Sequence, residues 1–196
     1  MILGFWVCFL IRPDMLVVST AFSDFGNDVR TAPYFAGSVF FAAYGMWRWR
    51  NYLSRTWKRS MPVVGLVTLT VIGLYLIALM PISWEPLPAR VHRFGVSLAG
   101  ISMLTTVLLD SLLTKTPKSK LRNGWRALRM FALGMIMIGG YLTYASLESV
   151  GWYNVALLGE TLLLGGYLVW IALKTYLGEG GRTNLSSQLK NIVLID

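Results

Sequence analysis

The sequence contains little cysteine, histidine or charge. Its 196 residues include one cysteine and one histidine, and 14% are Asp, Glu, Lys or Arg, against about 25% in a typical soluble domain. Because Cys8 has no second cysteine to pair with, a disulfide-stabilised secreted fold is excluded. One histidine and one cysteine, far apart in sequence, disfavour a zinc site.

Sequence motifs for common cofactors are also missing. The chain has no P-loop, no dinucleotide-binding fingerprint and no pair of haem ligands. Retinal would need a lysine in the middle of a helix of a seven-helix bundle, whereas Lys174 falls at a helix end. We therefore expect no cofactor and no metal, and we assign no catalytic residue.

Apolar and aromatic residues are abundant instead. They include eight Trp, nine Tyr and nine Phe, and the hydrophobic share of the chain is 55%, which excludes a disordered protein. Five stretches have the roughly 20 mainly apolar residues that a membrane helix needs. These stretches are residues 33–52, 61–83, 91–113, 127–148 and 152–174. With a shorter first helix, they predict an all-α integral membrane protein with about six transmembrane helices in one bundle.

The N-terminal apolar run, residues 1–11, is only about 16 Å long as a helix. Arg12, Pro13 and Asp14 end it, because a span continued through them would place two charges near the bilayer centre. A short first helix followed by a loop that folds back on the bundle fits this pattern, as does a helix that starts upstream. A signal peptide fits less well, because a positive n-region and a small-residue cleavage site are missing.

Charge distribution predicts the topology. The segments after the second, fourth and sixth helices hold fourteen Lys and Arg, against Arg12, Arg30, Arg90 and Arg93 on the opposite side. By the positive-inside rule both termini are cytoplasmic, as expected for the plasma membrane of a prokaryote. The net charge of +9 then reflects loops near anionic lipids, and no nucleic-acid partner is expected. The bundle covers residues 1–176, and residues 177–196 form a cytoplasmic tail, either a short amphipathic helix or unstructured.

Small residues predict where the helices touch, because helices in lipid associate through close packing. Glycine pairs in the fifth and sixth helices predict a closely crossed hairpin. The residues on predicted contact faces are Ser38, Ala42, Gly45, Gly95, Ala99, Gly139, Gly140, Gly165 and Gly166.

Polar residues cluster at the predicted outer face. Besides Glu85 and Glu148, they comprise the candidate ligand-binding residues Ser23, Asp24, Asp28, His92 and Arg93. A carboxylate of Asp24 or Asp28 next to His92 would fix the tautomer of the ring. The two interpretations are a polar pocket for a lipid headgroup or small ligand, and loops held to helix ends by hydrogen bonds and salt bridges.

Glu160 is the sixth candidate ligand-binding residue. It follows Trp152 by eight residues, about 12 Å along a helix, so its carboxyl group lies inside the hydrocarbon and either needs a partner or stays protonated. Tyr141, Tyr144 and Ser97 are the candidate partners. A proton or substrate pathway and a purely structural hydrogen bond both fit. Asp110, at the inner end of the fourth helix, is expected to reach the basic cytoplasmic rim.

Two stretches resemble a known family. The segments Ser23-Asp24-Phe25-Gly26 and 34–38, and the Pro86 and Pro88 that precede His92, are similar to Frag/DRAM/Sfk-type six-helix membrane proteins and related prokaryotic six-helix proteins. The resemblance implies a six-helix fold and a lipid-facing role carried by Ser23, Asp24, Gly26 and His92.

These observations favour a non-enzymatic membrane protein that binds lipid or a membrane partner through an outer polar cap. Three alternatives remain: an accessory subunit of a larger membrane complex, a small proton-coupled transporter that uses Glu160, and a lipid-modifying enzyme that uses Ser23 and His92. Expected partners are membrane lipids, together with a second protein or a second copy of the chain.

Overall fold

The computed structural model describes residues 2–16, 21–56, 61–80, 86–113, 122–148 and 155–177, and these residues are almost entirely helical. The α-helices are α1 (Ile2–Ile11), α2 (Ala32–Thr56), α3 (Met61–Leu79), α4 (Pro86–Leu113), α5 (Arg122–Glu148) and α6 (Ala156–Leu177). Two 3₁₀ helices, Pro13–Leu16 and Phe22–Gly26, lie between α1 and α2. Several predicted features lie outside the described residues: the tail from residue 178 to residue 196, Glu85 and Trp152. The side chain of Glu148 also lies outside them.

Four helices are long and apolar enough to cross a membrane: α3 through Met61–Leu79, α4 through Pro86–Ser111, α5 through Arg126–Ser146 and α6 through Ala156–Thr175. Within the described parts, α1 and α2 do not meet the same criteria. With ten residues, α1 is about 15 Å long, half of a typical hydrocarbon core. Although α2 has 25 residues, its second half carries arginines. The six predicted helices are thus present, and four of them have the composition of a span.

Successive helices run in opposite directions, which separates two ends of the bundle. We call one the acidic end, because it carries Asp14, Asp24, Asp28 and Glu160. It combines the C-terminal ends of α1, α3 and α5 with the N-terminal ends of α2, α4 and α6. The opposite, basic end carries most of the described lysines and arginines.

The second 3₁₀ helix folds back along α1. The Phe22 ring lies 4.6 Å from that of Phe5, and the Phe25 ring lies 4.9 Å from that of Phe9 in an edge-to-face contact. The hydroxyl of Thr31 donates a 2.6 Å hydrogen bond to the carbonyl of Phe25. These contacts confirm the loop that folds back on the bundle and fix residues 22–26 against it.

Glycines bring α5 and α6, and also α3 and α4, into backbone contact. A Cβ on Gly159 would lie 2.9 Å from the carbonyl oxygen of Gly139, and one on Gly166 would lie 2.7 Å from that of Ala132. The predicted close hairpin of α5 and α6 is therefore confirmed. Gly45 was wrongly assigned to a contact face, since nothing lies within 4 Å of a Cβ placed there.

Helices α1 to α4 pack in sequence, each on the next, and α5 packs mainly on α6. Few backbone contacts join α4 to α5 and α6. The space between the two groups of helices is where the candidate site lies.

Candidate functional site

A cavity of about 110 Å³, open on one side, lies between the two groups of helices near the acidic end. All six α-helices and the second 3₁₀ helix contribute to its walls. The walls are mainly apolar and extend toward the middle of the bundle at Met103 and Leu163. The polar residues that line the cavity are Ser23, His92, Thr143 and Glu160.

His92 is held in the second turn of α4, with only 1% of its surface exposed. Its Nδ1 lies 2.6 Å from the carbonyl oxygen of Met80, the residue after α3. Because a carbonyl can only accept, Nδ1 carries the proton and Nε2 presents a lone pair. Nε2 is buried and has no hydrogen-bond partner among the described residues. The site therefore contains an unused acceptor.

Glu160 lies in the second turn of α6 and accepts a hydrogen bond of 2.6 Å at Oε2 from the backbone N–H of Phe22. The partners expected from the sequence were wrong. Tyr141 and Tyr144 are more than 60% exposed, and Ser97 is also exposed. The actual partner is a main-chain donor on the returning 3₁₀ helix, which only the fold brings to α6.

Ser23 is buried on the cavity wall, and Asp24 follows it in the second 3₁₀ helix. The carboxylate of Asp24 accepts a 2.9 Å hydrogen bond from the backbone N–H of Ala21. Burial raises the pKa of Asp24, while that hydrogen bond acts in the opposite direction. Among the described residues, no hydrogen bond joins Asp24 to His92.

A serine–histidine–aspartate triad is not assembled by these residues. Such a triad needs one imidazole nitrogen bonded to the carboxylate and the other to the serine hydroxyl. In His92 the first nitrogen is bonded to Met80, and the second has no partner in the described structure. Ser23 and His92 share a cavity without sharing a hydrogen bond.

Asp28 and Arg93 are not among the residues that line the cavity. Asp28 bonds Arg12 at 2.5 Å and Arg30 at 2.8 Å, and Arg12 also bonds Asp14 at 2.6 Å. The Arg30 guanidinium, together with Arg12, holds the pKa of Asp28 well below its usual range. Arg93 is exposed on α4, because it follows His92 by about 100° around the helix.

A second polar cluster lies at the basic end. The carboxylate of Asp110, 1% exposed, accepts hydrogen bonds from Lys174 and, at 3.0 Å, from the indole of Trp170. Arg129 approaches the same carboxylate at 3.3 Å. The expectation that Asp110 reaches the basic rim is confirmed, and the structure adds that Lys174 is buried with it.

The described residues include no group of three His, Cys, Asp or Glu side chains that could hold a metal ion. Sequence reasoning missed the cavity residue Thr143, and also Phe22 and Met80, which hold Glu160 and His92. The last two act through main-chain atoms, which leave no residue-type signal. Comparisons with protein-family models, curated proteins and solved structures found no match to this chain.

Proposed function

We propose that the chain is a six-helix, non-enzymatic integral membrane protein that binds a membrane amphiphile in the cavity at its acidic end. One observation carries the proposal. The Nε2 atom of His92 is a buried acceptor without a described partner, on a residue that lines a largely apolar cavity. Leaving such an acceptor unpaired costs about 1–3 kcal/mol, so the cavity favours a ligand with both an apolar and a polar part.

The membrane placement is supported by the four apolar helices and by the distribution of charge. The basic end faces the cytoplasm, in accord with the positive-inside rule, and the acidic end faces outward. At the basic end of α2, Arg50 lies 5.0 Å over the ring of Trp47 and donates a 3.1 Å hydrogen bond to Thr68. An arginine held beside tryptophan suits the headgroup region, which supports α2 as a membrane helix despite its charges.

The size of the cavity limits the ligand. A volume of about 110 Å³ is smaller than a cavity of about 150 Å³ that encloses benzene. It encloses a small polar group and a few methylenes, and the rest of the ligand extends beyond the cavity. The proposed ligand is an amphiphile whose polar end lies beside His92 and whose first methylenes run toward Met103.

Native mass spectrometry of the protein extracted in a mild detergent tests the proposal. In Gly100→Leu, a side chain grows from the cavity wall, where a Cβ would meet its nearest described neighbour, Leu163, at 3.9 Å. Gly45→Leu is the matched control, because Gly45 is exposed and faces open space. We expect one bound amphiphile in the wild type and in Gly45→Leu, and none in Gly100→Leu.

The proposal is overturned if Gly100→Leu and Gly45→Leu retain the same bound masses. A second variant covers the case in which Gly100→Leu does not fold. His92→Phe keeps an aromatic ring of similar size and removes the acceptor at Nε2. We therefore expect this variant to lose most of the bound amphiphile. Retention equal to the wild type in His92→Phe would also overturn the proposal.

A further inference from the structure

The polar residues of the cavity define the chemistry of the group that binds there. This inference rests on the proposed function. We infer that the polar end of the ligand is a hydrogen-bond donor without negative charge, either a hydroxyl or an ammonium group. A phosphate or a carboxylate does not meet this description. The inference follows from the hydrogen-bonding capacity of His92 and Glu160 and from the charges around them.

His92 offers an acceptor. The Met80 carbonyl accepts a hydrogen bond from the N–H at Nδ1, so Nε2 is the nitrogen that carries the lone pair in a neutral ring. A doubly protonated ring would instead bury an N–H and a positive charge with 1% exposure and no acceptor at Nε2 in the described structure, which is more costly. A ligand oxygen without a proton has nothing to receive from Nε2, whereas an O–H or N–H has an acceptor.

Glu160 offers a second acceptor. One of its oxygens accepts the N–H of Phe22, and a carboxylate has capacity for further donors. Glu160 lines the same cavity as His92, so the cavity has acceptors on both α4 and α6. Asp24, next to the lining residue Ser23, adds a second carboxylate near the site.

No lysine or arginine belongs to the described lining of the cavity. The nearest described basic groups by sequence lie elsewhere: Arg12 and Arg30 bond Asp28, and Arg90 and Arg93 are exposed on α4. A phosphate would therefore enter a poorly solvated site without a compensating cation, and burying an unpaired charge there is costly. The cavity rejects anionic head groups by charge and accepts donors by hydrogen bonding.

Four probes with the same oleyl chain and different polar groups separate the effect of charge from that of hydrogen bonding. They are oleyl alcohol, oleylamine, oleate and oleyl phosphate. Each is titrated into delipidated wild-type protein, and the bound fraction is read by native mass spectrometry. We expect oleyl alcohol and oleylamine to bind about tenfold or more tightly than oleate and oleyl phosphate, since an unpaired buried charge costs several kcal/mol. The alcohol and amine arms distinguish a hydroxyl ligand from an ammonium ligand.

The variant Glu160→Gln tests the role of the carboxyl group. Its amide oxygen keeps an acceptor for Phe22 while the second oxygen is replaced by an N–H donor, so we expect the preference for the alcohol over the phosphate to fall several-fold. Asp14→Asn is the matched control, because it removes a carboxylate that is exposed and outside the cavity. We expect this control to keep the wild-type preference.

The possible outcomes separate the two proposals. If no probe binds the wild type more tightly than it binds Gly100→Leu, the proposed function fails. If oleyl phosphate or oleate binds in the cavity as tightly as the alcohol, amphiphile binding stands and the donor inference is overturned. A preference that Glu160→Gln leaves unchanged, or that Asp14→Asn reduces equally, also overturns the inference.

Discussion

The backbone N–H of Phe22 donates a 2.6 Å hydrogen bond to the carboxylate of Glu160, joining positions 138 residues apart in sequence. This contact links the 3₁₀ helix that follows α1 to the second turn of α6. It therefore joins the two groups of helices across the acidic end, directly beside the cavity. The loop before α2 depends on a side chain of the last helix for its position.

Replacing Glu160 tests this link. Glu160→Leu leaves the N–H of Phe22 without its acceptor, and we expect the free energy of unfolding in detergent to fall by about 1–3 kcal/mol. Glu160→Gln retains an acceptor oxygen, so its loss should be smaller. Hydrogen exchange at the Phe22 amide should accelerate in Glu160→Leu and much less in Glu160→Gln. Equal exchange rates in the two variants would show that the carboxylate does not hold the loop.

The ion pairs around Asp28 predict a loss of stability in acid. The pKa of Asp28 is lowered by Arg30 and then Arg12, so its contribution is fully present above the ordinary carboxylate pKa of about 4 and is lost as the pH falls through the lower folded value. We expect Asp28→Asn to lower the Tm at pH 7 and to flatten the fall in Tm below about pH 4. A wild-type Tm that is independent of pH in this range would contradict the prediction.

The buried pair of Asp110 and Lys174 predicts strong coupling between the two side chains. Asp110→Asn removes the carboxylate that Lys174 and Arg129 approach, and we expect a loss of about 3–5 kcal/mol of unfolding free energy. Adding Lys174→Met to Asp110→Asn removes one of these two cations and should recover part of that loss. A double-mutant cycle by unfolding in detergent measures this coupling. Additive effects of the two substitutions would argue against the pair.

Close packing between α3 and α4 gives a matched test of glycine. A Cβ on Gly73 would lie 2.7 Å from the carbonyl oxygen of Gly95, so Gly73→Ala must move the helices apart and should cost about 1–3 kcal/mol. Gly65→Ala on the same helix meets nothing within 4 Å and should be neutral or slightly stabilising. Thermal unfolding measures the Tm of both variants. Equal Tm values for Gly73→Ala and Gly65→Ala would contradict the close contact at Gly73.

The helices could be read from the sequence because their signal is local. Runs of apolar residues between charged segments placed both ends of α2 and α3 within four residues of their observed bounds. The start of α4 was placed five residues too late, because Pro86 and Pro88 suggested a boundary. Proline fits the first turn of a helix, where its missing N–H is not needed, and α4 begins at Pro86 itself.

The site was only partly predictable. Residue type was enough to single out His92 and Glu160, since ionisable groups in apolar segments need partners. It was not enough to find those partners, because both are main-chain atoms at Met80 and Phe22. The ion pairs of Asp28 with Arg12 and Arg30 were not predictable either, because chain proximity to Asp24 carries no information about the direction of its side chain.

By itself, the sequence determined the helical class, the number of helices and the separation of acidic from basic residues, because these follow from composition and local hydropathy. Only the tertiary structure decided that Ser23, His92 and Glu160 line one cavity while Asp28 and Arg93 lie outside it. The physical reason is that a cavity forms between helices distant in the chain. Its walls depend on how α4 and α6 pack and on where the chain between α1 and α2 returns.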